Sequence, residues 1–156
     1  MEISESLDQF DKSILEIVAV EGRIPVTELA KRVGLSKTPC LNRLRRLERS
    51  NIITGYRASL NAVALGLDHI AFVEVSLSDT RQAALIEFND AVQKIPAIEQ
   101  CHMVAARYDY LLKVRTRSMS EYRRVLGEEI TTLPHVSHTS TSVAMEAVKE
   151  GALQRA

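Results

Sequence analysis

Apolar residues recur along this chain in two rhythms, and the rhythm changes near residue 61. Leu7, Phe10, Ile14, Leu15 and Val18 return at helical spacing, which predicts an amphipathic helix over residues 7 to about 20, ended by Gly22 and Arg23. Val26, Leu29, Ala30 and Val33 predict a short second helix over residues 25 to 33. Pro25 suits a first turn whose amides lack partners anyway, and Glu28 favours that positive end. Gly34 can take the left-handed conformation that closes a helix, Leu35 tucks beneath it, and Ser36 is a good N-cap for a third helix over residues 37 to about 50. Two short helices joined by a glycine corner are the wiring of a helix-turn-helix.

After Asn51 the character changes. Ile52, Ile53, Gly55, Tyr56, Ala58 and Leu60 predict an extended segment, and residues 61 to 68, with Gly66, a short linker. Beyond it Ala71, Val73, Val75 and Leu77 alternate, the mark of a strand with one buried face. Leu85, Phe88, Val92 and Ile95 place a helix over residues 80 to 95, and residues 98 to 105 read as extended. Tyr110, Leu112 and Val114 alternate again. Ser118 and Glu121 form a capping box that opens a helix containing Tyr122, Val125, Leu126 and Ile130, and a Thr/Ser/Val-rich strand over residues 136 to 145 closes the chain. The order is βαββαβ, the ferredoxin-like split motif. An internal echo supports it: Ile95-Pro96-Ala97-Ile98 follows the first of these helices and Leu133-Pro134-His135-Val136 the second. The expected architecture is α+β, with a winged helix-turn-helix domain at 1–60, the linker at 61–68 and a ferredoxin-like domain at 69–156.

The formal net charge is zero, which by itself argues against nucleic acid, but the average hides segregation along the chain. Residues 1–30 hold seven acids against two bases, a net −5, and residues 31–57 hold eight bases against Glu48 alone, a net +7. A basic block of that density on a folded element is an electrostatic footprint for phosphate, with a merely solvated helix face as the competing interpretation. Spacing sharpens it. At about 100° per residue, Cys40, Leu41, Leu44 and Leu47 fall on one side of the third helix, and Thr38, Asn42, Arg45, Arg46 and Arg49 on the other. One face packs while the other presents donors, and a helix of this kind fits the major groove, where Arg grips guanine and Asn grips adenine. Ser36, Lys37 and Thr38 at its start could reach phosphates or bases, and Arg43 joins them as a contact residue. The implied partner is double-stranded DNA.

Other classes find less support. The 46% hydrophobic content excludes a disordered or fibrous chain, no apolar run approaches the roughly 18 to 20 residues that span a bilayer, and the acidic start is unlike a signal peptide. A cytoplasmic protein with no membrane partner is expected. Cys40 and Cys101, 61 positions apart, indicate neither a disulfide framework nor a zinc site and read as reduced packing residues. Cys101 and His102 are neighbours on a strand and face opposite ways, so they cannot act as nucleophile and base. His135 and His138, three apart in what should be extended chain, do not share a metal. With no glycine-rich phosphate loop and no paired carboxylates, neither catalysis nor a cofactor is expected. The alternative to DNA readout is a stand-alone metabolite-sensing or oligomerisation module whose basic helix serves protein contact.

Over residues 7 to 149 the chain resembles the Lrp/AsnC, or feast/famine, family of transcriptional regulators. The strings that carry the resemblance are LDQFDKSILEIV, GRIPVTELAKRVGLSKTPCLNRLRRLE, ITGYRASLN, EQCHMV, YDYLLKV, and LPHV leading to VAMEAVK, in that order and spacing. Within the family, GLDHIAFVEVSLSDTR and KVRTRSMSEYRRVLGEE look most like regulators of proline catabolism in α-proteobacteria. The resemblance implies a homodimer that assembles into tetramers, octamers or larger discs, and a small effector, usually an amino acid, held between subunits. It also implies that the loop at Ala106, Arg107, Tyr108 and Asp109 contributes to the pocket, where the family commonly has Gly-x-Phe/Tyr-Asp. The aromatic and the acid are kept, and alanine replaces the glycine. Asp109 could then pair an α-ammonium group and Arg107 a carboxylate, against a plain solvated turn. A second departure is Pro25, where the family often has a capping serine; Glu28 is expected to keep half of the capping box.

Overall fold

The structure, a computed structural model, describes residues 7–150 and divides them into two compact units, 7–59 with 149–150, and 60–148. Residues 1–6 and 151–156 of the two expected domains, with Glu2 and Glu5 among the counted acids, lie outside the described residues.

Three helices make the first unit: α1 (Gln9–Val20), α2 (Val26–Val33) and α3 (Lys37–Arg49). Asp8 caps α1 in a reciprocal box: its Oδ1 accepts the Asp11 N–H at 3.0 Å, and Asp11 Oδ2 accepts the Asp8 N–H at 3.2 Å. Two orphan donors of the first turn are thereby satisfied. Pro25 is the N-cap of α2 rather than its first residue, with φ −61° and ψ 140°. The expected half capping box from Glu28 does not form, because Pro25 has no N–H to offer; the Glu28 carboxylate instead accepts from Arg32 Nε at 3.2 Å. Gly34, at φ +75°, closes α2, with the Leu35 N–H reaching the Ala30 carbonyl at 2.9 Å. Asn51 (φ 59°) does the same for α3, and the Ile52 N–H returns to Leu47 O at 3.0 Å. Ile14, Val18, Leu29, Ala30, Val33, Cys40, Leu44 and Leu47 form the core. Phe10, expected on that apolar face, is 39% exposed, and fully buried Asp11 takes the inward place. Residues 54–61 follow without helix or strand.

In the second unit a turn over residues 61–67 is capped by Asn61, whose Oδ1 accepts the Ala64 N–H at 3.0 Å. Then come β1 (His69–Leu77), α4 (Gln82–Val92), β2 (Ile98–Met103), β3 (Tyr110–Thr116), α5 (Met119–Val125) and β4 (Val136–Val143). All neighbours in the four-stranded sheet are antiparallel, in the order β2-β3-β1-β4. The βαββαβ reading therefore holds, with α4 shorter than the expected 80–95 helix. Alternation sets the packing: Ala71, Val73, Val75, Tyr110, Leu112 and Val114 meet Phe88, Val92, Tyr122, Val125 and Ile130. Phe88 and Tyr110 stack with centroids 4.3 Å apart. The opposite sheet face, with Phe72, Glu74, Ser76, Leu111, Lys113, His138 and Ser140, carries no helix among the described residues.

The last helix departs from expectation at both ends. Ser118 accepts the Glu121 N–H at 3.2 Å, but the Glu121 carboxylate reaches past the cap to the Arg117 N–H at 2.7 Å. After Val125 the α-helix gives way to a π-helical turn, Leu126–Ile130, which ends with Ile130 buried.

Candidate nucleic-acid interface and ligand cleft

Folding divides the eight residues assigned to DNA contact. Thr38, Asn42, Arg45 and Arg49 lie at i, i+4, i+7 and i+11 of α3, which gathers them into one stripe roughly 60° wide, and all four are exposed. Ser36 occupies the N-cap without a side-chain capping bond, and Lys37 is exposed beside it. Arg45 has no acidic partner among the described residues; Arg49 Nε leans on the Arg45 carbonyl at 3.3 Å.

Arg46 and Arg43 lie roughly 80° and 140° around the helix from Thr38, toward α1. Arg43 Nη1 donates to Asp8 Oδ2 at 2.6 Å and to Asp11 Oδ1 at 3.0 Å, with its guanidinium 5.4 Å from the Phe10 ring centre. Arg46 Nη2 donates to Asp11 Oδ2. The expectation that all these arginines form one reading face is corrected here, because counting charge by segment cannot see that an acid 32 or 35 positions upstream folds back against them. Asp8, bonded to the Asp11 N–H and to Arg43, is held below the ordinary carboxylate range.

Loop 104–109 also divides its assigned residues. The Val104 N–H donates to Asp109 O at 3.0 Å, the Asp109 N–H to Val75 O at 2.9 Å, and Asp109 Oδ2 accepts the Leu77 N–H at 2.7 Å. The acid expected to meet an ammonium group thus spends one oxygen holding the end of β1. Arg107 is 82% exposed and pairs with Glu74 at 3.3 Å. Together with Tyr108 it borders a cleft of about 330 Å³ completed by Glu74 and Ser76 of β1 and His138 and Ser140 of β4. Ala106 and Asp109 do not line it. The four strand residues were missed by the sequence reading, although alternation puts Glu74 and Ser76 on the non-core face; what was hidden is the β1–β4 register that pairs Glu74 with Ser140 and Ser76 with His138.

The histidines and cysteines form no reactive pair. His135 is not in extended chain: it takes a left-handed turn at φ 63°, with Nε2 2.8 Å from Glu87. Cys101 packs against the core while His102 is exposed, and burial pushes the Cys101 and Cys40 thiols up, away from the thiolate form.

Residues 70–153 match the Lrp/AsnC ligand binding domain, and residues 7–54 a winged helix-turn-helix DNA-binding domain. The chain belongs to the Lrp/AsnC family. This Lrp/AsnC chain is 59% identical to a proline dehydrogenase transcriptional activator of Rhizobium radiobacter, over 94% of each chain. It is 48% identical to the leucine-responsive regulatory protein of Escherichia coli (strain K12), over 94% of this chain and 89% of that one. A crystal structure of a transcriptional regulator from Neisseria meningitidis in complex with L-Met superposes with a TM-score of 0.86 at 30% identity, covering 93% of this chain and 94% of that one. The Lrp/AsnC protein is a DNA-binding transcriptional regulator with a ligand-binding domain, and not an enzyme. No helix of its described residues is long and apolar enough to cross a membrane.

Proposed function

We propose that this regulator controls amino-acid catabolic genes, of the proline-catabolism kind, by reading double-stranded DNA with α3 under the control of an amino acid bound beside Arg107 and Tyr108. The observation that carries the reading is the exposed stripe of Thr38, Asn42, Arg45 and Arg49 on a helix whose other face is core. Donors of this kind on a groove-sized helix serve base readout, and Ser36, Lys37 and the flanking arginines serve phosphate.

Two chains pair through the helix-free sheet faces, aided by residues 52–60, and present two α3 helices to half-sites about one helical turn, roughly 34 Å, apart. Dimers then assemble into tetramers, octamers or larger rings. Glu74 and Arg107 supply opposite charges at the rim of the cleft, which suits the ammonium and carboxylate of a zwitterion; Glu74 takes the role first assigned to Asp109. At about 330 Å³ the cleft is large enough for a free amino acid. An effector that binds one assembly better than another shifts the population and so the spacing of the reading helices. Such a protein acts in the cytoplasm, where the chromosome is.

The test is a pair of titrations. Fluorescence anisotropy of the protein's own promoter fragment should report binding that weakens steeply with salt, and a thermal-shift screen of the common amino acids should single out one or a few that raise the melting temperature. No retention of the fragment at low salt removes the DNA reading; no amino acid that stabilises the protein removes the effector reading.

A further inference from the structure

We propose that Asp11 is a positioning residue for DNA binding: its buried carboxylate holds one edge of the Arg46 guanidinium so that the rest is presented, already oriented, to a backbone phosphate. The role rests on the reading that α3 meets DNA.

Asp11 is fully buried, so its two oxygens need charged or N–H partners, and they have them: Oδ1 accepts from Arg43, and Oδ2 from Arg46 and from the Asp8 N–H. The two arginines use this carboxylate differently. Arg43 turns its Nη1 to both Asp8 and Asp11, stacks toward Phe10 and leaves only 27% of its side chain exposed, the posture of a strut between α1 and α3. Arg46 commits Nη2 alone, stays 52% exposed, and its Nε and Nη1 meet no acceptor among the described residues. Its place on the helix fits the task. A stripe at roughly 80° to the base-reading stripe flanks a helix lying in a groove, which is where the sugar-phosphate backbone runs.

A guanidinium can serve two anions at once because its five donors are spread over a rigid fork, whereas an ammonium is a point charge. Anchoring one edge removes rotamer freedom that binding would otherwise have to remove. Elementary electrostatics points the other way. Deleting an acid beside a DNA-binding helix makes the protein more positive and should tighten binding.

That opposition of sign is the experiment. The full chain is titrated against its own promoter fragment by anisotropy across a salt series, with circular dichroism as the check on folding. Asp11→Asn is expected to weaken binding about tenfold at fixed salt and to lower the salt slope by about one phosphate contact. In an Arg46→Ala background it should have no further effect. Asp8→Asn, which removes the exposed carboxylate and leaves Asp11, should not weaken binding. If Asp11→Asn fails to fold, Arg46→Lys decides: charge is kept and the fork is lost, so it should weaken binding as much as Arg46→Ala. A folded Asp11→Asn that binds as tightly as wild type or tighter overturns the role, as does an Arg46→Lys variant equal to wild type. Wild-type protein that ignores the fragment at low salt overturns the DNA reading itself, a result distinct from either.

Discussion

Asp109 accepts the Leu77 N–H through Oδ2 at 2.7 Å, so a side chain of the loop that carries Arg107 and Tyr108 terminates the neighbouring strand. The Asp109 N–H closes the same connection from the other side by donating to Val75 O at 2.9 Å. Both bonds lie where β1 ends in a register shift at Ser76 and Leu77, and the strand end depends on them. Asp109→Ala leaves a part-buried N–H without its acceptor, at a cost of about 1–3 kcal/mol. Asp109→Asn retains an acceptor oxygen and should cost less. Urea unfolding of both variants checks this, and an unchanged midpoint for the alanine variant would show that the bond contributes nothing.

With Asp109 occupied, the acid left for an ammonium group is Glu74, 3.3 Å from Arg107 at the cleft. Glu74→Gln keeps the shape and removes the charge. An amino acid at a hundred times its Kd stabilises the wild type by about 2.7 kcal/mol, and the variant should lose most of that thermal shift while binding DNA normally in the absence of effector. A full shift in Glu74→Gln would place the effector elsewhere.

On α3 the two kinds of arginine should separate in one pair of assays. Arg45 has no acidic partner among the described residues, so Arg45→Ala should leave the melting temperature unchanged and weaken DNA binding by about 1–3 kcal/mol. Arg43→Ala takes a charged donor from buried Asp11, so unfolding free energy should fall by about 1–3 kcal/mol. An Arg45 variant that lost stability while binding DNA normally would reverse the assignment.

How much of this was legible beforehand follows from how local each feature is. The strands and helices of the second unit could be read because Ala71, Val73 and Val75, or Phe88 and Val92, repeat at the period of the element that buries them. The glycine corner was legible for the same reason: Gly34 needs only its own φ of +75° and one bond from Leu35 to Ala30. Distant pairings were not. Nothing in the order of residues says that Asp11 will be buried against Arg43 and Arg46, or that Glu74 will stand beside Ser140. The π-helical turn escaped because Tyr122, Leu126 and Ile130 sit four apart, as an ordinary helix requires, and a single widened turn leaves that pattern intact.

Gly34 offers a test of the corner free of packing effects. A Cβ at this position would meet nothing within 4 Å, so the cost of Gly34→Ala is conformational alone: about 1–2 kcal/mol for an L side chain held at positive φ. Chemical denaturation followed by ellipticity should show that loss, and DNA affinity above the new midpoint should fall with it. A variant as stable as wild type would mean that the corner relaxes to negative φ at no cost.

In the second unit Phe88 of α4 packs onto Tyr110 of β3, both almost wholly buried, with ring centroids 4.3 Å apart. This contact ties α4 to β3, and the loop that borders the cleft leads directly into β3. Removing the ring in Phe88→Ala gives up its transfer free energy, the ring contact and the space it filled, together about 3–5 kcal/mol. Phe88→Leu keeps most of the volume and should cost well under half of that. Because the damage lies in the unit that holds the cleft, the alanine variant should lose amino-acid stabilisation along with its own stability, while the leucine variant keeps both. Equal stability for alanine and leucine would mean that the site collapses around the missing ring, and that the cleft does not depend on this contact.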